Sequence, residues 1–230
     1  MTKFLENIKI LFDGWKAWEI GFLVCVLVFI IANAIAIHDN PLAVISAIFG
    51  ILYTLFAGKG KVACFFFGLL GSGCYAAISC KNALWGQLLL YMGYYVPMQI
   101  SGIFQWSKNL KIEKKEIVKT KLSLKELVII VFLTVIALTG TIFMLYYFKD
   151  ASPVIDGVTT ILSIVGMYLT IKRCIEQWVV WMIVNGLSAL MWANLVFLHG
   201  SHAFSTVIMW SVYFFAAIYF FFQWKKEVKI

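Results

Sequence analysis

Charged residues are scarce in this chain, and they are missing from the centres of its long apolar runs. They make up 13% of the 230 residues, whereas 63% are hydrophobic and the mean hydropathy is +0.92. A soluble domain of this length does not bury so much apolar surface, so the composition predicts a polytopic membrane protein. The net charge of +8 would also suit nucleic acid, but the basic residues flank apolar runs and membrane topology explains them, so we expect no nucleic-acid partner.

Sequence signatures of catalysis and metal binding are also missing. There is no nucleophile–base pair, no H-E-x-x-H helix and no phosphate-binding loop, so we expect neither enzyme activity nor a cofactor. The five cysteines are an odd set without C-x-x-C spacing, which indicates neither a disulfide framework nor a metal site. His199 and His202 share one short loop with no third ligand nearby, so we expect no metal there either.

Eight apolar runs are each long enough to cross a bilayer of about 30 Å. They lie at roughly 19–37, 40–58, 62–80, 83–106, 126–148, 154–171, 178–198 and 203–224. We therefore predict an all-α polytopic membrane protein with eight transmembrane helices. The first run resembles a signal peptide through Ala32-Asn33-Ala34, but its core and leader are longer than a signal usually has, so we expect it to be retained.

Lysine and arginine are divided unequally between the two sides of the predicted membrane. With a cytoplasmic N-terminus, all 19 of these residues except Lys81 and Lys149 fall in cytoplasmic segments. This asymmetry obeys the positive-inside rule and predicts that both termini are cytoplasmic. Seven lysines lie between residues 108 and 125, a segment that we interpret as a solvated connector, with contact to anionic lipid as the alternative.

The two halves of the chain resemble each other. Three pairs share an offset of 112, namely Pro41 with Pro153, Lys61 with Arg173, and Asn82 with Asn194. The ends correspond at an offset of 118, Phe104-Gln105-Trp106 with Phe222-Gln223-Trp224. We predict a first helix within 1–39, a three-helix repeat at 40–107, a basic loop and linker helix at 108–150, and a second repeat with the tail at 151–230. Transporters with such repeats bind substrate near the membrane midplane, between the repeats.

The seventh run carries a polar and aromatic stripe. At 100° per residue, one narrow face of a helix holds Trp178, Trp181, Asn185, Ser188 and Trp192. Hydrocarbon offers nothing to satisfy an amide, so we predict that this face binds substrate. The alternative is that Trp178 and Trp192 are interfacial belt residues. At the offset of 112, Trp178, Trp181 and Asn185 correspond to Phe66, Leu69 and Gly73 in the first half. Because the first half has no tryptophan or asparagine at these positions, we predict an asymmetric site that depends on the second half.

The fourth run carries a second candidate face. A seven-residue spacing predicts that one side of a helix holds Gln87, Tyr91, Tyr94 and Met98, with Tyr95 beside them. Pro97 permits a kink there, and Gln99 follows it as a further candidate for substrate binding. The alternative is that the tyrosines only pack. Asn194 is another polar candidate, close enough to a helix end to be a cap.

The side chains of these two faces define a class of ligand. Indole and phenol rings attract flat organic cations, by about 2 kcal/mol or more when desolvated, and amides suit sugar hydroxyl groups. A cationic aromatic ring that bears a polyol fits both. No acidic residue lies at the centre of a predicted span, which favours facilitated diffusion over coupling to Na⁺ or protons.

With these features the chain resembles the PnuC family of bacterial vitamin transporters. The resemblance rests on W-x-x-W-x-x-x-N at Trp178, Trp181 and Asn185, on the stretch from Tyr94 to Gln99, and on the 3+1+3 arrangement. It implies a fold similar to full-length SWEET transporters and a homotrimer in the bacterial inner membrane. It also implies facilitated uptake of nicotinamide riboside, trapped by later cytoplasmic phosphorylation, with the motif residues stacking on the ring and hydrogen-bonding the ligand.

Two other functions stay open at this point. Related family members carry thiamine or riboflavin, and the motif does not separate these substrates. A membrane scaffold or receptor without transport is a less favoured alternative from another class. We expect the substrate site to lie between the third, fourth, sixth, seventh and eighth helices.

Overall fold

The computed structural model describes residues 11–37, 41–81, 88, 90–111, 116–149, 153–197 and 204–228. Within these ranges eight α-helices follow in order: α1 Ala17–Ile37, α2 Pro41–Gly58, α3 Ala63–Lys81, α4 Val96–Ser107, α5 Leu124–Tyr147, α6 Pro153–Ile171, α7 Gln177–Phe197 and α8 Phe204–Glu227. A π-helical turn, Tyr91–Tyr95, precedes α4. Two short antiparallel strands, β1 Leu110–Lys111 and β2 Glu116–Ile117, lie in the basic segment.

The helices agree with the predicted apolar runs. Four stretches are long and apolar enough to cross a membrane: Ala17–Ala36, Leu124–Tyr147, Pro153–Ile171 and Val207–Glu227. Shorter apolar stretches lie within α2, α3 and α7, at Val44–Gly58, Ala63–Cys74 and Gln177–Met191. The prediction of an all-α membrane protein is confirmed, whereas eight complete crossings stay a prediction.

The chain folds as two compact units, one ending at Val118 and the other beginning at Lys119. In the first unit, α2 packs against α1 and α3, and α3 packs against α4 and the π-helical turn. In the second unit, α6 packs against α5 and α7, and α7 packs against α8. Within each unit, therefore, helices that follow one another along the chain are neighbours in space.

The turn after α2 and the turn after α6 have the same backbone geometry. Gly60 has a φ of 65°, and the next amide donates a hydrogen bond to the carbonyl of Phe56 (3.0 Å). Arg173 has a φ of 63°, and the next amide donates to the carbonyl of Leu169 (3.0 Å). Both turns are Schellman motifs, which satisfy the last carbonyls of a helix. Glycine adopts the left-handed conformation freely, whereas for Arg173 it costs about 1–2 kcal/mol.

These matched turns correct the offset of the internal repeat. Gly60 and Arg173 are 113 residues apart, not 112. The helices before them begin 112 residues apart, but α2 has 18 residues and α6 has 19, so the extra residue lies within α6. The residues that correspond to Trp178, Trp181 and Asn185 are therefore Phe65, Gly68 and Ser72, and the predicted set Phe66, Leu69 and Gly73 is wrong.

Ion pairs connect the basic segments of the first unit. Nζ of Lys59, beside the turn after α2, lies 2.6 Å from a carboxylate oxygen of Glu19, a residue that is only 5% exposed. The same ammonium group donates to the carbonyl of Gly14 (3.2 Å). Residue 14 precedes α1, so the start of α1 and the turn after α2 lie at the same end of this unit.

Ion pairs also connect the basic segments of the second unit. Lys172, beside the turn after α6, lies 2.9 Å from Glu126 at the start of α5, and this hydrogen bond raises the pKa of Lys172. Lys119, before α5, pairs with Glu227 at the end of α8. The start of α5, the turn after α6 and the end of α8 therefore share one end of the unit, as the positive-inside prediction requires.

Candidate functional site

The predicted stripe on α7 faces the interior of the second unit. Asn185 and Ser188 are each 4% exposed, and Trp181 is half-buried. The opposite side of the helix carries Ile183 and Leu190, which are 46% and 71% exposed. The helical period that the sequence predicted for this stripe is confirmed, with the polar side inward and the apolar side outward.

Trp178 lies in an aromatic cluster at the start of α7. Its ring centroid is 5.5 Å from that of Phe220, tilted by 35°, and 5.5 Å from that of Trp224, edge-on at 84°. The residue is 2% exposed, and its indole N–H has no acceptor among the described residues. The interfacial-belt alternative is wrong for Trp178, because its ring is covered by protein. The same covering leaves little of the ring open to a ligand in this conformation.

Trp181 is held in place by two residues of α6. Its Nε1 donates a hydrogen bond to the hydroxyl of Thr170 (3.1 Å), and that hydroxyl donates to the carbonyl of Gly166 (2.8 Å). The indole lies directly over Gly166, since a Cβ at that residue would be only 3.0 Å from Cε2 of the ring. Gly166 therefore provides the space for this indole, and Thr170 provides the acceptor for its N–H.

Asn185 lies well inside α7, away from both of its ends. It follows Gln177, the first residue of the helix, by eight positions, which places it about 12 Å along the helix axis. Its side chain is only 4% exposed. Burying an amide in an apolar interior costs about 1–3 kcal/mol unless a polar group satisfies it, so its retention requires an explanation.

The first unit has the inverse arrangement of ring and gap. At the offset of 113, Tyr53 corresponds to Gly166 and Gly68 corresponds to Trp181. A Cβ on Gly68 would lie 2.9 Å from Cδ2 of Tyr53, so here the ring comes from α2 and the gap is on α3. Each unit fills the same local volume with one aromatic ring, but the two rings come from opposite helices.

A buried polar pair lies beside Gly68 in the first unit. Nε2 of Gln99 donates to the hydroxyl of Ser72 (3.0 Å), and each residue is 5% exposed. The other amide atom of Gln99, Oε1, has no partner within the described ranges. Ser72 corresponds to Asn185 at the corrected offset, so both units bury a polar side chain at this position.

The predicted face on the fourth run is interrupted by the π-helical turn. Within Tyr91–Tyr95 the hydrogen-bond register shifts, and the N–H of Val96 donates to the carbonyl of Tyr91, five residues back. The next residue, Pro97, has no N–H to donate, and π-helical turns occur where regular α-helical bonding is broken. The prediction that Gln87, Tyr91, Tyr94 and Met98 share one regular α-helical face is therefore corrected, because the helix is not α-helical throughout this stretch.

Tyr91 and Tyr94 still lie on the buried side of their segment. Both are half-buried, and their ring centroids lie 5.1 Å and 5.6 Å from that of Tyr95. Met92, between them, is 50% exposed. The three tyrosines form one contiguous aromatic group next to the start of α4.

The side chains of two of the predicted site residues are not described by the structure, and a third is exposed. Gln87 lies outside the described residues, and so does the side chain of Trp192, whose backbone belongs to α7. Asn194 is exposed near the end of α7 and does not join the buried stripe.

Comparison with known proteins places this arrangement in a family. The sequence profile described as nicotinamide mononucleotide transporter matches residues 40–226, which is most of the chain. The chain belongs to the nicotinamide mononucleotide transporter family. The matched range includes every candidate residue of both units.

Relatives of this chain in the family have the name nicotinamide riboside transporter PnuC. The one from Neisseria mucosa is 33% identical over 226 residues, which cover 95% of this chain and 85% of the relative. The one from Haemophilus influenzae is 28% identical, covering 94% and 93%. A solved structure, titled crystal structure of the vitamin B3 transporter PnuC, has a TM-score of 0.82 at 31% identity and covers 96% of this chain and 95% of that one.

Membership in the family bears out the resemblance seen in the sequence. The PnuC resemblance is confirmed, and with it the predicted transport function. The nicotinamide mononucleotide transporter family is one of transporters rather than of enzymes, and its members are multi-pass proteins of the bacterial inner membrane.

Sequence reasoning missed four residues that organise the candidate site. Gly166 and Thr170 hold Trp181, while in the first unit Tyr53 corresponds to Gly166 and Ser72 corresponds to Asn185. The offset of 113 would have revealed them, because it matches each glycine with the aromatic residue of the other unit. This offset is not evident in the sequence, because the extra residue lies within the apolar helix α6 and does not change the apolar pattern.

Proposed function

We propose that this chain takes up nicotinamide riboside across the bacterial inner membrane by facilitated diffusion. Relatives that cover nearly the whole chain have this substrate in their name. The observation that carries the proposal is the pairing of Trp181, fixed through its N–H, with Asn185, a buried amide one helical turn further along α7. A flat cation and a set of hydroxyl groups would satisfy both residues.

In this proposal the second unit supplies the main contacts with the ligand. The face of Trp181 stacks on the pyridinium ring, because the π-electrons of an indole attract a desolvated cation. The amide of Asn185 and the hydroxyl of Ser188 hydrogen-bond the ribose. Trp178 packs the start of α7 rather than stacking on the ligand, since its ring is already covered.

The first unit, taken by itself, has side chains that the sequence predicts as substrate contacts. Oε1 of Gln99 is buried and lacks a partner in the described part of the chain, which suits it to accept a hydrogen bond. The half-buried rings of Tyr91 and Tyr94 supply phenol groups and apolar walls. Gln87, Trp192 and Asn194 stay as predicted contacts.

The remaining proposals concern transport direction and assembly. No acidic residue lies at the centre of a predicted span, which supports uptake without ion coupling, and later phosphorylation in the cytoplasm would trap the product. We propose eight spans in the 3+1+3 arrangement with both termini cytoplasmic, supported by the lysine distribution and by the two matched turns. The family resemblance supports a homotrimer, which light scattering of the purified protein would test.

Counterflow in vesicles tests the proposed substrate. Proteoliposomes loaded with unlabelled nicotinamide riboside are diluted into radiolabelled nicotinamide riboside, and labelled substrate is expected to accumulate inside. Empty liposomes are the control. Exchange of labelled thiamine but not of nicotinamide riboside would make this chain a thiamine carrier, and exchange of neither would favour a receptor or scaffold.

A further inference from the structure

We propose that Thr170 is a positioning residue that fixes the indole of Trp181 and thereby makes the substrate site select cationic rings. Its hydroxyl occupies the only hydrogen-bond donor of the indole, so the ring offers a ligand its face and not its N–H. This inference rests on the proposed function, in which Trp181 stacks on the substrate.

The direction of each hydrogen bond follows from the chemistry of the groups. An indole N–H only donates, so at 3.1 Å the hydroxyl of Thr170 must accept from Trp181. The hydroxyl donates its own hydrogen to the carbonyl of Gly166, 2.8 Å away, which only accepts. In these two bonds the indole donates, the carbonyl accepts, and the hydroxyl does both.

Burial makes this chain a constraint on the ring. Thr170 is 0% exposed, so water does not compete for its hydroxyl. Gly166 leaves the space that the ring occupies, with Cε2 only 3.0 Å from where a Cβ would lie. The indole is thus fixed at its nitrogen by Thr170 and on one side by the backbone of α6.

The first unit serves as an internal comparison. At the offset of 113, Trp181 corresponds to Gly68 and Thr170 corresponds to Ala57, a buried residue with 3% exposure. Where the unit has no indole, it has no hydroxyl either. At this pair of positions, therefore, the threonine is present where the unit has an indole and absent where it has none.

A ring fixed in this way discriminates between ligands by charge. A hydrogen-bond acceptor on the ligand gains nothing from an N–H that Thr170 already occupies, whereas a pyridinium ring gains from the electron-rich face. Without the hydroxyl, the N–H would be unsatisfied and the ring would turn to seek an acceptor, which weakens stacking and relaxes the preference for a cation.

Calorimetric titration of the purified full-length protein tests the inference. Thr170→Val removes the acceptor at similar volume and is expected to weaken binding of nicotinamide riboside about fivefold. Thr170→Ser keeps the hydroxyl and should restore binding to near wild type. The ratio of affinities for nicotinamide riboside and its neutral, reduced form should fall in Thr170→Val, which a general loss of packing would not produce.

A double-variant experiment shows whether Thr170 acts through the indole. Phenylalanine has no N–H, so Thr170→Val added to Trp181→Phe should cause no further loss of affinity. Additive losses, or a Thr170→Ser variant as weak as Thr170→Val, would overturn the positioning role. If Trp181→Ala weakens binding while Thr170→Val does not, this inference fails and the proposed function stands. If Trp181→Ala leaves the affinity unchanged, the proposed site itself is wrong.

Discussion

Replacing Asn185 with leucine should stabilise the protein and at the same time impair substrate binding. The side chain is 4% exposed, so the amide is almost wholly removed from solvent. Burying an amide costs about 1–3 kcal/mol, and leucine has a similar size without this cost. For a chain of this length, each kcal/mol corresponds to a shift of about 2–4 °C in the midpoint of thermal unfolding, so Asn185→Leu should unfold at a higher temperature.

The effect on affinity has the opposite sign. The amide can offer one acceptor and one donor to the ribose, and each neutral hydrogen bond is worth about 1 kcal/mol net. Losing both weakens nicotinamide riboside binding by a factor of about thirty, since 1.4 kcal/mol corresponds to a factor of ten. Calorimetric titration measures the affinity, and thermal unfolding without ligand measures the stability.

The matched control is Ser211→Ala on α8. The Ser211 hydroxyl already donates to the carbonyl of Val207 in its own helix (2.8 Å), so its removal should change neither quantity much. If Asn185→Leu unfolds at a lower temperature and binds nicotinamide riboside as well as wild type, Asn185 is a structural residue and the reasoning is refuted.

Three further outcomes are expected. Trp181→Ala should weaken nicotinamide riboside binding more than about tenfold in calorimetry, because a desolvated cation–π contact is worth about 2 kcal/mol, and an unchanged affinity would remove Trp181 from the site. Trp178→Ala should lower the stability by about 3 kcal/mol or more, because the ring is buried in the Phe220–Trp224 cluster, and an unshifted unfolding midpoint would contradict this packing role. Ionophores that collapse Na⁺ and proton gradients should leave uptake into vesicles unchanged, and a clear dependence on either gradient would overturn facilitated diffusion.

The stripe on α7 was predictable because it depends on one helix alone. Helical periodicity is a local property, and the burial of Asn185 and Ser188 opposite the exposed Ile183 follows from it directly. The same periodicity failed at Tyr91–Tyr95, because a π-helical turn changes the register. Pro97 indicated that regular helical bonding would be broken in this stretch, but it did not indicate that a π-helical turn would result.

The contacts between helices could not be read from the sequence. Thr170 meets Trp181 only because the crossing of α6 and α7 brings an end of one helix to the start of the other. The repeat offset failed for a related reason. Pro41 and Pro153 mark equivalent helix starts, but one extra residue within α6 shifts every correspondence after it. The insertion of one residue into a long apolar run does not change the apolar pattern, so the sequence does not reveal it.

The exchange of ring and gap between the two units limits how either unit can change. Tyr53 over Gly68 and Trp181 over Gly166 each use a volume that holds one ring. A single substitution that adds a second ring would force two aromatic groups into that volume, whereas one that removes the ring leaves a cavity, which lowers stability but causes no clash. Any stepwise conversion of one arrangement into the other must therefore pass through an intermediate with glycine, or another small residue, on both helices. Substitutions that convert one arrangement into the other must therefore occur in a fixed order. The existing aromatic residue is replaced by a small one first, and the glycine on the other helix is replaced by an aromatic residue second.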